Sequence, residues 1–478
     1  MVSRADLMSP MVIMAEDYIL TAVPTRETDD RRLLPFFVVL LFLLCAAMWS
    51  LVVPPFEAPD EPGHARYVNF LIEHHRLPLA GEEAPGEAHQ PPLYYGLAAA
   101  AAAFSGLGMI DVAVERNPAF RWYGGTSENK YLHAESETPP LGGSARVLHR
   151  LRLLFVVLGG ITVLLIYATG RRAGLPPDRA AMAAALAAFI PQFTFISGTL
   201  NNDNLANVLA AACLACLVAG VTGRSGRGGL GAWVGAGLLA GFGTLTKFTG
   251  LAMIPCGLVA LALARGSGSR ALASKAAAFL APALCLPIPL LVRNALVMGD
   301  PLGAGAQVAT LPQLLDRKSL LSAYFVSEFP TVLFTSFWGV FGWMSFRLPA
   351  YFYMVCLLIT LGGLLGLLFD RGRIGAAGVG RLFGAVIAVQ VAQVVVYNMT
   401  FTQAQGRFLF PVLGPIAIAL GVGLTGGLTG RLTGAPAGRL APGWRGWPYV
   451  LIGLLAAGNL CILRFVVLPG YRAAAGPA

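Results

Sequence analysis

The chain has 478 residues, of which 56% are hydrophobic and only 12% charged. A soluble globular chain carries about 25% charged residues, so these proportions exclude an ordinary soluble domain and point to a helical integral membrane protein. A net charge of +10 would suit nucleic acid, but most Lys and Arg fall in short stretches between apolar runs, where they set topology, and nucleic acid is excluded as a partner.

Residues 1–32 are polar and mixed in charge, with Arg4, Arg26, Arg31 and Arg32, and read as a cytoplasmic N-terminal tail. The run 33–53 is uncharged, long enough to span, and too long for a signal-peptide core. It is predicted to be the first transmembrane helix. Residues 54–150 then form an external loop. Within it, 91–108 is apolar but short. Counting it as a span would place Arg171, Arg172 and Arg179 outside, against the charge rule, so it is predicted to be an interfacial or re-entrant helix.

Further spans are predicted over 151–169, 180–197, 203–222, 230–246, 249–264, 274–292, 350–369, 382–400, 407–426 and 448–467. With the first, about eleven transmembrane helices result, the N-terminus inside and the C-terminus outside. They fill 33–53, 151–293 and 350–468. Between the last two blocks lies a second external loop, 294–349, whose aromatic run FTSFWGVFGWMSF is predicted to lie at the interface. Residues 469–478 form an external tail. Pro282, Pro287 and Pro289 should kink the span at 274–292. The seven cysteines fall in or beside apolar runs, which argues against a disulfide framework.

Polar chemistry is concentrated in the first loop. All six histidines lie between His64 and His149, and twelve of the 24 carboxylates lie between Glu57 and Glu137. Acid–base chemistry needs groups that exchange protons near neutral pH, so the active site is sought there. Asp60 and Glu61, bracketed by Pro59 and Pro62 and followed by His64, sit just after a span. One carboxylate can act as base on a hydroxyl while its neighbour orients it or binds a cation; a solvated acidic loop tip is the plainer reading. In Glu87-Ala-His89-Gln90-Pro91-Pro92-Leu93-Tyr94-Tyr95, polar groups end where an apolar helix begins, which also describes an ordinary helix start. Asn201-Asn202-Asp203-Asn204 lies at an external span end; Asp203 is read as capping the next helix and facing the site. Lys247, Arg293 and Arg407 are cations on the outer side, where topology does not require them. They suit a lipid phosphate, or they snorkel.

Taken in order, PDEPGHARY, HQPPLYY, NNDNLAN, LTKFTGL, RNALVMGDP and QGRFLFP resemble the GT-C superfamily of polytopic glycosyltransferases that use polyprenyl-phosphate sugars, which includes protein O-mannosyltransferases and lipid A aminoarabinose transferases. The resemblance implies an all-α GT-C bundle of about eleven transmembrane helices, with interfacial helices in the first and a later external loop. It implies transfer of a sugar from the lipid donor to a hydroxyl of a lipid, glycan or protein acceptor, among membrane lipids, outside a bacterial-type inner membrane. Asp60, with Glu61 beside it, would be catalytic, and the transfer inverting. Lys247, with Arg293 and Arg407, would bind the donor phosphate. His64, Gln90, Tyr94, Tyr95 and Asn202 would line the substrate. No cofactor is required throughout the family; in some relatives a divalent cation would sit at the positions of His89 (or Glu87) and Asp203. The extension 109–150, with Trp122, Tyr123 and His133, would shape an acceptor site.

A transporter or flippase for a lipid-linked or anionic substrate is the alternative, since polytopic helices and intramembrane charges suit both. The ionisable groups here crowd the external rim rather than the midplane, and there is no two-fold hydropathy symmetry. An assembly scaffold would leave the Asp-Glu pair and the off-rule cations unexplained.

Overall fold

The computed structural model describes residues 26–79, 86–121, 127–137, 141–223, 229–264, 268–305, 308, 315–369, 374, 378–428 and 447–473. Most of the N-terminal tail, the last five residues, Trp122 and Tyr123 lie outside the described residues.

Among the described residues eight helices are long and apolar enough to cross a bilayer: Leu33–Val52, Ala145–Arg172, Asp203–Thr222, Ser269–Met298, Ala350–Leu368, Val379–Asn398, Gly406–Thr425 and Tyr449–Tyr471. The pair Pro177–Ala188 and Pro191–Ser197, bent by 69°, is a broken span or a re-entrant loop. The bend follows from Pro191. The residue before a proline is pushed out of the helical region, and Ile190 is extended (φ −63°, ψ 117°). The predicted spans 230–246 and 249–264 are present as shorter apolar helices, Leu230–Thr246 and Phe248–Leu263. They are separated at Lys247, whose backbone is extended (φ −157°, ψ 135°). The prolines of 274–292 act as expected: Pro282 lies inside one segment, Ser269–Cys285, and Pro287 and Pro289 open the next, Ile288–Met298.

Leu93–Phe104 has 12 residues. At 1.5 Å per residue it reaches about 18 Å, short of the roughly 30 Å hydrocarbon core. Its Tyr94, Tyr95 and Ala98 pack with Tyr67 and Val68 of the Glu61–His74 helix and with Leu148, Leu151 and Phe155. This cluster docks the acidic loop onto the N-terminal part of the Gly143–Arg172 helix.

The aromatic run expected at the interface packs into the helical core. It forms the Phe329–Gly339 helix and a two-residue antiparallel pairing of Val340–Phe341 with Phe346–Arg347. Phe337, Trp338, Phe341 and Phe346 belong to the largest core cluster, beside Trp49 and Phe195. The Trp49 and Phe341 rings lie 4.7 Å apart, and the Trp49 indole donates to Asn459 Oδ1 at 2.7 Å. Aromatic composition suits a membrane interface and a packed core alike; here the facing helices supply the packing.

Candidate active site

Arg152 fixes the frame of the site. It projects from the N-terminal third of the Gly143–Arg172 helix and, like Glu61, is fully buried (0% exposed side chain each). Its guanidinium donates to Glu61 at 2.8 and 2.5 Å and to the carbonyls of Ser50, Val53 and Pro54. Glu61 also accepts the backbone N–H groups of Phe56 (3.0 Å) and Leu200 (2.8 Å). The catalytic role expected of Glu61 is therefore corrected: both its oxygens are committed to joining the first loop to two helices.

That frame turns Asp60 the other way. Asp60 precedes the Glu61–His74 helix with a left-handed backbone (φ 68°) and makes no side-chain capping bond. A non-glycine residue there is strained and persists only where its surroundings hold it. Its half-buried carboxylate instead accepts from Arg407 Nη2 at 2.5 Å. Arg407 Nη1 reaches Asp203 at 3.4 Å, and Asp203 accepts from Lys247 Nζ at 2.5 Å. Four residues from four distant stretches thus form one alternating chain of charge: Asp60, Arg407, Asp203, Lys247.

Local sequence places each partner. Gly406 lets the Arg407 turn approach the Phe329–Gly339 helix. A Cβ there would lie 2.1 Å from the Phe337 backbone nitrogen, and the Gly406 N–H donates to Ser336 Oγ at 2.8 Å. Arg407 Nε is held by Gln405 Oε1 at 2.6 Å. Asp203 begins its helix, but it does not act as the cap expected of it. Asn202 occupies the cap position without a side-chain capping bond, and the Asp203 carboxylate is spent on the two cations. Arg293 does not join them through any described bond. Its guanidinium donates to Asn294 Oδ1 and to the carbonyls of Leu77 and Pro78, so it ties the end of the Glu61–His74 segment to the Ile288–Met298 helix.

The residues expected to line a substrate lie near one another. His64 Nδ1 lies 2.9 Å from the Tyr95 hydroxyl, to which Asn202 also donates at 3.4 Å. Tyr95 stacks on Tyr67 at 3.9 Å. His64 Nε2 is buried without a hydrogen-bond partner. Gln90 meets His89 Nε2 at 3.2 Å. Glu87 lies against Gly63, where a Cβ would come within 2.9 Å of its Cγ.

The charges follow from this packing. Burial raises the Asp60 pKa, but the Arg407 charge beside it, with further help from His64 and Lys247, outweighs this and holds the carboxyl below its usual value. Burial pushes His64 down to about 3 and His89 down to about 4, so both rings are neutral at neutral pH. Burial, reinforced by the Asp60 charge, pushes Glu87 up to about 8. Asp60 is thus the ionised carboxylate of the first-loop pair and Glu87 the protonated one.

The divalent cation expected at His89 and Asp203 does not fit this donor set. Among the described residues no group of three or more His, Cys, Asp or Glu side chains is arranged to hold a metal ion, and the two Asp203 oxygens already face Lys247 and Arg407. Sequence reasoning missed Arg152, Glu57 and Gly406. Arg152 had a signal: a charge just inside a predicted span needs a partner, and the nearby loop is rich in carboxylates.

Beside the Arg407 turn lies an apolar cavity of about 370 Å³, open at the side and lined by Phe329, Leu333, Phe337, Trp338, Leu409 and Leu420 among others.

Residues 145–292 match the family model described as dolichyl-phosphate-mannose-protein mannosyltransferase. Comparison with curated proteins returns no match. Among solved structures the chain is similar to the S. cerevisiae protein O-mannosyltransferase Pmt1-Pmt2 complex bound to the sugar donor, at 21% identity and a TM-score of 0.40, covering 56% of this chain and 33% of that one. It is similar to ArnT from Cupriavidus metallidurans in the apo state, at 15% identity and a TM-score of 0.49, over 92% of this chain and 74% of that one. It is also similar to the Archaeoglobus fulgidus oligosaccharyltransferase in the apo form, at 14% identity and a TM-score of 0.47, over 93% of this chain and 56% of that one. The chain thus spans a third of the mannosyltransferase chain and about half of the oligosaccharyltransferase. Residues 145–292 are thus similar to the dolichyl-phosphate-mannose-protein mannosyltransferase model, and that match includes the NNDNLAN and LTKFTGL stretches.

Proposed function

We propose that the protein transfers a sugar from a polyprenyl-phosphate donor to an acceptor hydroxyl at the outer face of a bacterial-type inner membrane, with inversion. The observation that carries this reading is the chain Asp60–Arg407–Asp203–Lys247 at the outer end of the bundle. It sets an ionised carboxylate beside two cations that share a second carboxylate.

The acceptor hydroxyl attacks the anomeric carbon and gives its proton to Asp60. The bond from that carbon to the phosphate oxygen breaks, and its electron pair leaves with the polyprenyl phosphate. Lys247 and Arg407 stabilise the charge that grows on the leaving oxygen; fixed cations act this way most strongly where water is excluded. Asp203 holds both cations in place before substrate arrives. Glu87, kept protonated, adds no second negative charge beside Asp60. The orphaned His64 Nε2 is a site for a sugar hydroxyl, because buried polar groups need partners. The apolar side cavity next to Arg407 suits the prenyl tail, which cannot leave the bilayer. Lipid, glycan and protein acceptors all supply the hydroxyl this scheme needs. Arg293 and Glu61 act on the framework rather than on the reacting atoms.

The test is release of polyprenyl phosphate from a polyprenyl-phosphate sugar by purified protein. Asp60→Asn should cut release about 100- to 10,000-fold, the typical worth of a positioned base. Lys247→Met should raise the donor KM. Wild-type rates in Asp60→Asn would sink the assignment. Movement of an intact lipid-linked sugar across vesicles without release would favour a flippase instead.

A further inference from the structure

Glu57 lies in the same turn as Asp60 and takes no part in the transfer proposed above. It is completely buried. It accepts the backbone N–H groups of Lys130 at 3.0 Å and Tyr131 at 2.9 Å. Its Oε1 also lies 3.0 Å from His133 Nε2, and His133 Nδ1 lies 2.6 Å from Glu137 Oε2. A neutral imidazole has one N–H and can donate to only one of two carboxylates; an imidazolium donates to both. Glu57 already accepts two backbone N–H groups. The geometry therefore calls for a charged ring between two carboxylates.

The segment 127–137 that carries His133 is stitched to three other parts of the chain. The Lys130 ammonium sits 3.1 Å from the centroid of the Trp343 ring, and the Trp343 indole donates to the Phe56 carbonyl at 3.0 Å. Asn129 donates to the Tyr471 carbonyl at 3.1 Å. Ser345 Oγ donates to the Glu128 carbonyl at 3.4 Å. The turn beneath contains two left-handed non-glycine residues, Phe56 (φ 67°) and Asp60 (φ 68°). Such backbone is strained and must be held from outside.

We propose that His133, as an imidazolium between Glu57 and Glu137, is a positioning residue that locks residues 127–137 onto the turn carrying Asp60 and so fixes the aim of the Asp60 carboxylate. The lock stands on the contacts alone; its kinetic consequence rests on the transferase reading.

Glu57 and Glu137 meet the ring. Among the described residues Lys130, Tyr131, Glu128, Glu135, Arg116 and Tyr471, with Arg66 and Asp60 below, are further charged or titratable groups around the segment. Burial lowers the proton affinity of His133, but the hydrogen bonds and charges of Glu137 and Glu57 overcome this and lift it to about 9. The folded value lies above the ordinary 6.5. The lock is therefore at full strength below about pH 6.5 and is lost as pH rises through about 9.

Two measurements on the full-length protein test this. The first needs no activity: amide exchange at pH 7, read by mass spectrometry, on a peptide covering 127–137. His133→Asn keeps one hydrogen bond to Glu57 but no charge, and should raise exchange at least about 10-fold in that peptide, with the membrane helices unchanged. Unchanged protection overturns the lock. The second is the pH profile of polyprenyl phosphate release. The wild type should lose kcat, not donor KM, in two steps, as Glu87 and Lys130 lose their protons near pH 8 and then on an alkaline limb near pH 9 that belongs to His133. His133→Asn should lose about 10- to 100-fold in kcat at neutral pH, as small misplacements of a reacting group do. Glu137→Gln, which leaves the Glu57 contacts intact, should move the limb down by about one pH unit, since a hydrogen bond to a charged group is worth that much. Loss of protection with kinetics and limb unmoved would show that the segment is pinned without aiming Asp60, and would overturn the proposal. A wild type that releases no polyprenyl phosphate would count against the transferase reading, and the exchange result would still decide the lock.

Discussion

Arg152→Met leaves the Glu61 carboxylate fully buried without its cation. Both groups are 0% exposed and joined by two bonds of 2.8 and 2.5 Å. Removing one partner of such a pair typically costs about 3–5 kcal/mol, because the remaining charge is stranded. The carbonyls of Ser50, Val53 and Pro54 also lose a donor. Ser50 and Val53 are fully buried, so their carbonyls add to the loss, each by less than a stranded carboxylate. A loss of about 4 kcal/mol is close to a thousandfold in the folding equilibrium. Methionine fills similar volume, so a cavity contributes little. The assay is denaturant unfolding of purified protein, read as a double-mutant cycle over wild type, Arg152→Met, Glu61→Gln and the double variant. Glu61→Gln keeps an oxygen to accept from the Leu200 or Phe56 N–H and carries no charge to strand. The double variant should therefore be more stable than Arg152→Met alone, with a coupling of about 2 kcal/mol or more. A single variant as stable as wild type, or two losses that simply add, would refute the account of Glu61 as a framework anion.

Glu87 is held protonated by burial and the Asp60 charge, with a pKa of about 8 against an ordinary 4.5. The folded state therefore binds the extra proton, and stability should fall as pH rises from about 4.5 to about 8; Glu87→Gln should flatten that slope in thermal melts. Gly406→Ala would bring a Cβ to 2.1 Å from the Phe337 backbone. Since backbone must move, release of polyprenyl phosphate should fall at least about 10-fold and the melting temperature should drop; an alanine variant with wild-type kinetics would show that Gly406 does not set the Arg407 turn.

The acidic loop illustrates how far the sequence could be read. Asp60, His64, Tyr95, Asn202, Asp203, Lys247 and Arg407 were each visible as polar groups out of place on the outer side of an apolar chain, and the fold brings them together. Glu61 carried the same signal as its neighbour, and its opposite assignment follows from orientation. Asp60 takes a left-handed backbone and Glu61 opens a helix, so adjacent side chains diverge, one to Arg407 and the other to Arg152. Arg293 shared the off-rule placement of Lys247, but it meets the Leu77 and Pro78 carbonyls. The aromatic run FTSFWGVFGWMSF had the composition of an interfacial belt, and its rings pack against Trp49 and Phe195 instead.

The amino-acid sequence by itself determined the membrane class, the spans, the proline bends and the loop in which polar chemistry is confined. Those depend on local hydropathy, on the missing N–H of proline and on the cost of charge in hydrocarbon, all of which act within a few residues of their cause. Only the tertiary structure decided which carboxylate meets which cation, that His133 is clasped by Glu57 and Glu137, and that the aromatic run faces inward. Pairings across 347 positions, as between Asp60 and Arg407, depend on how helices pack. Packing is a property of facing surfaces, which no single stretch of chain contains.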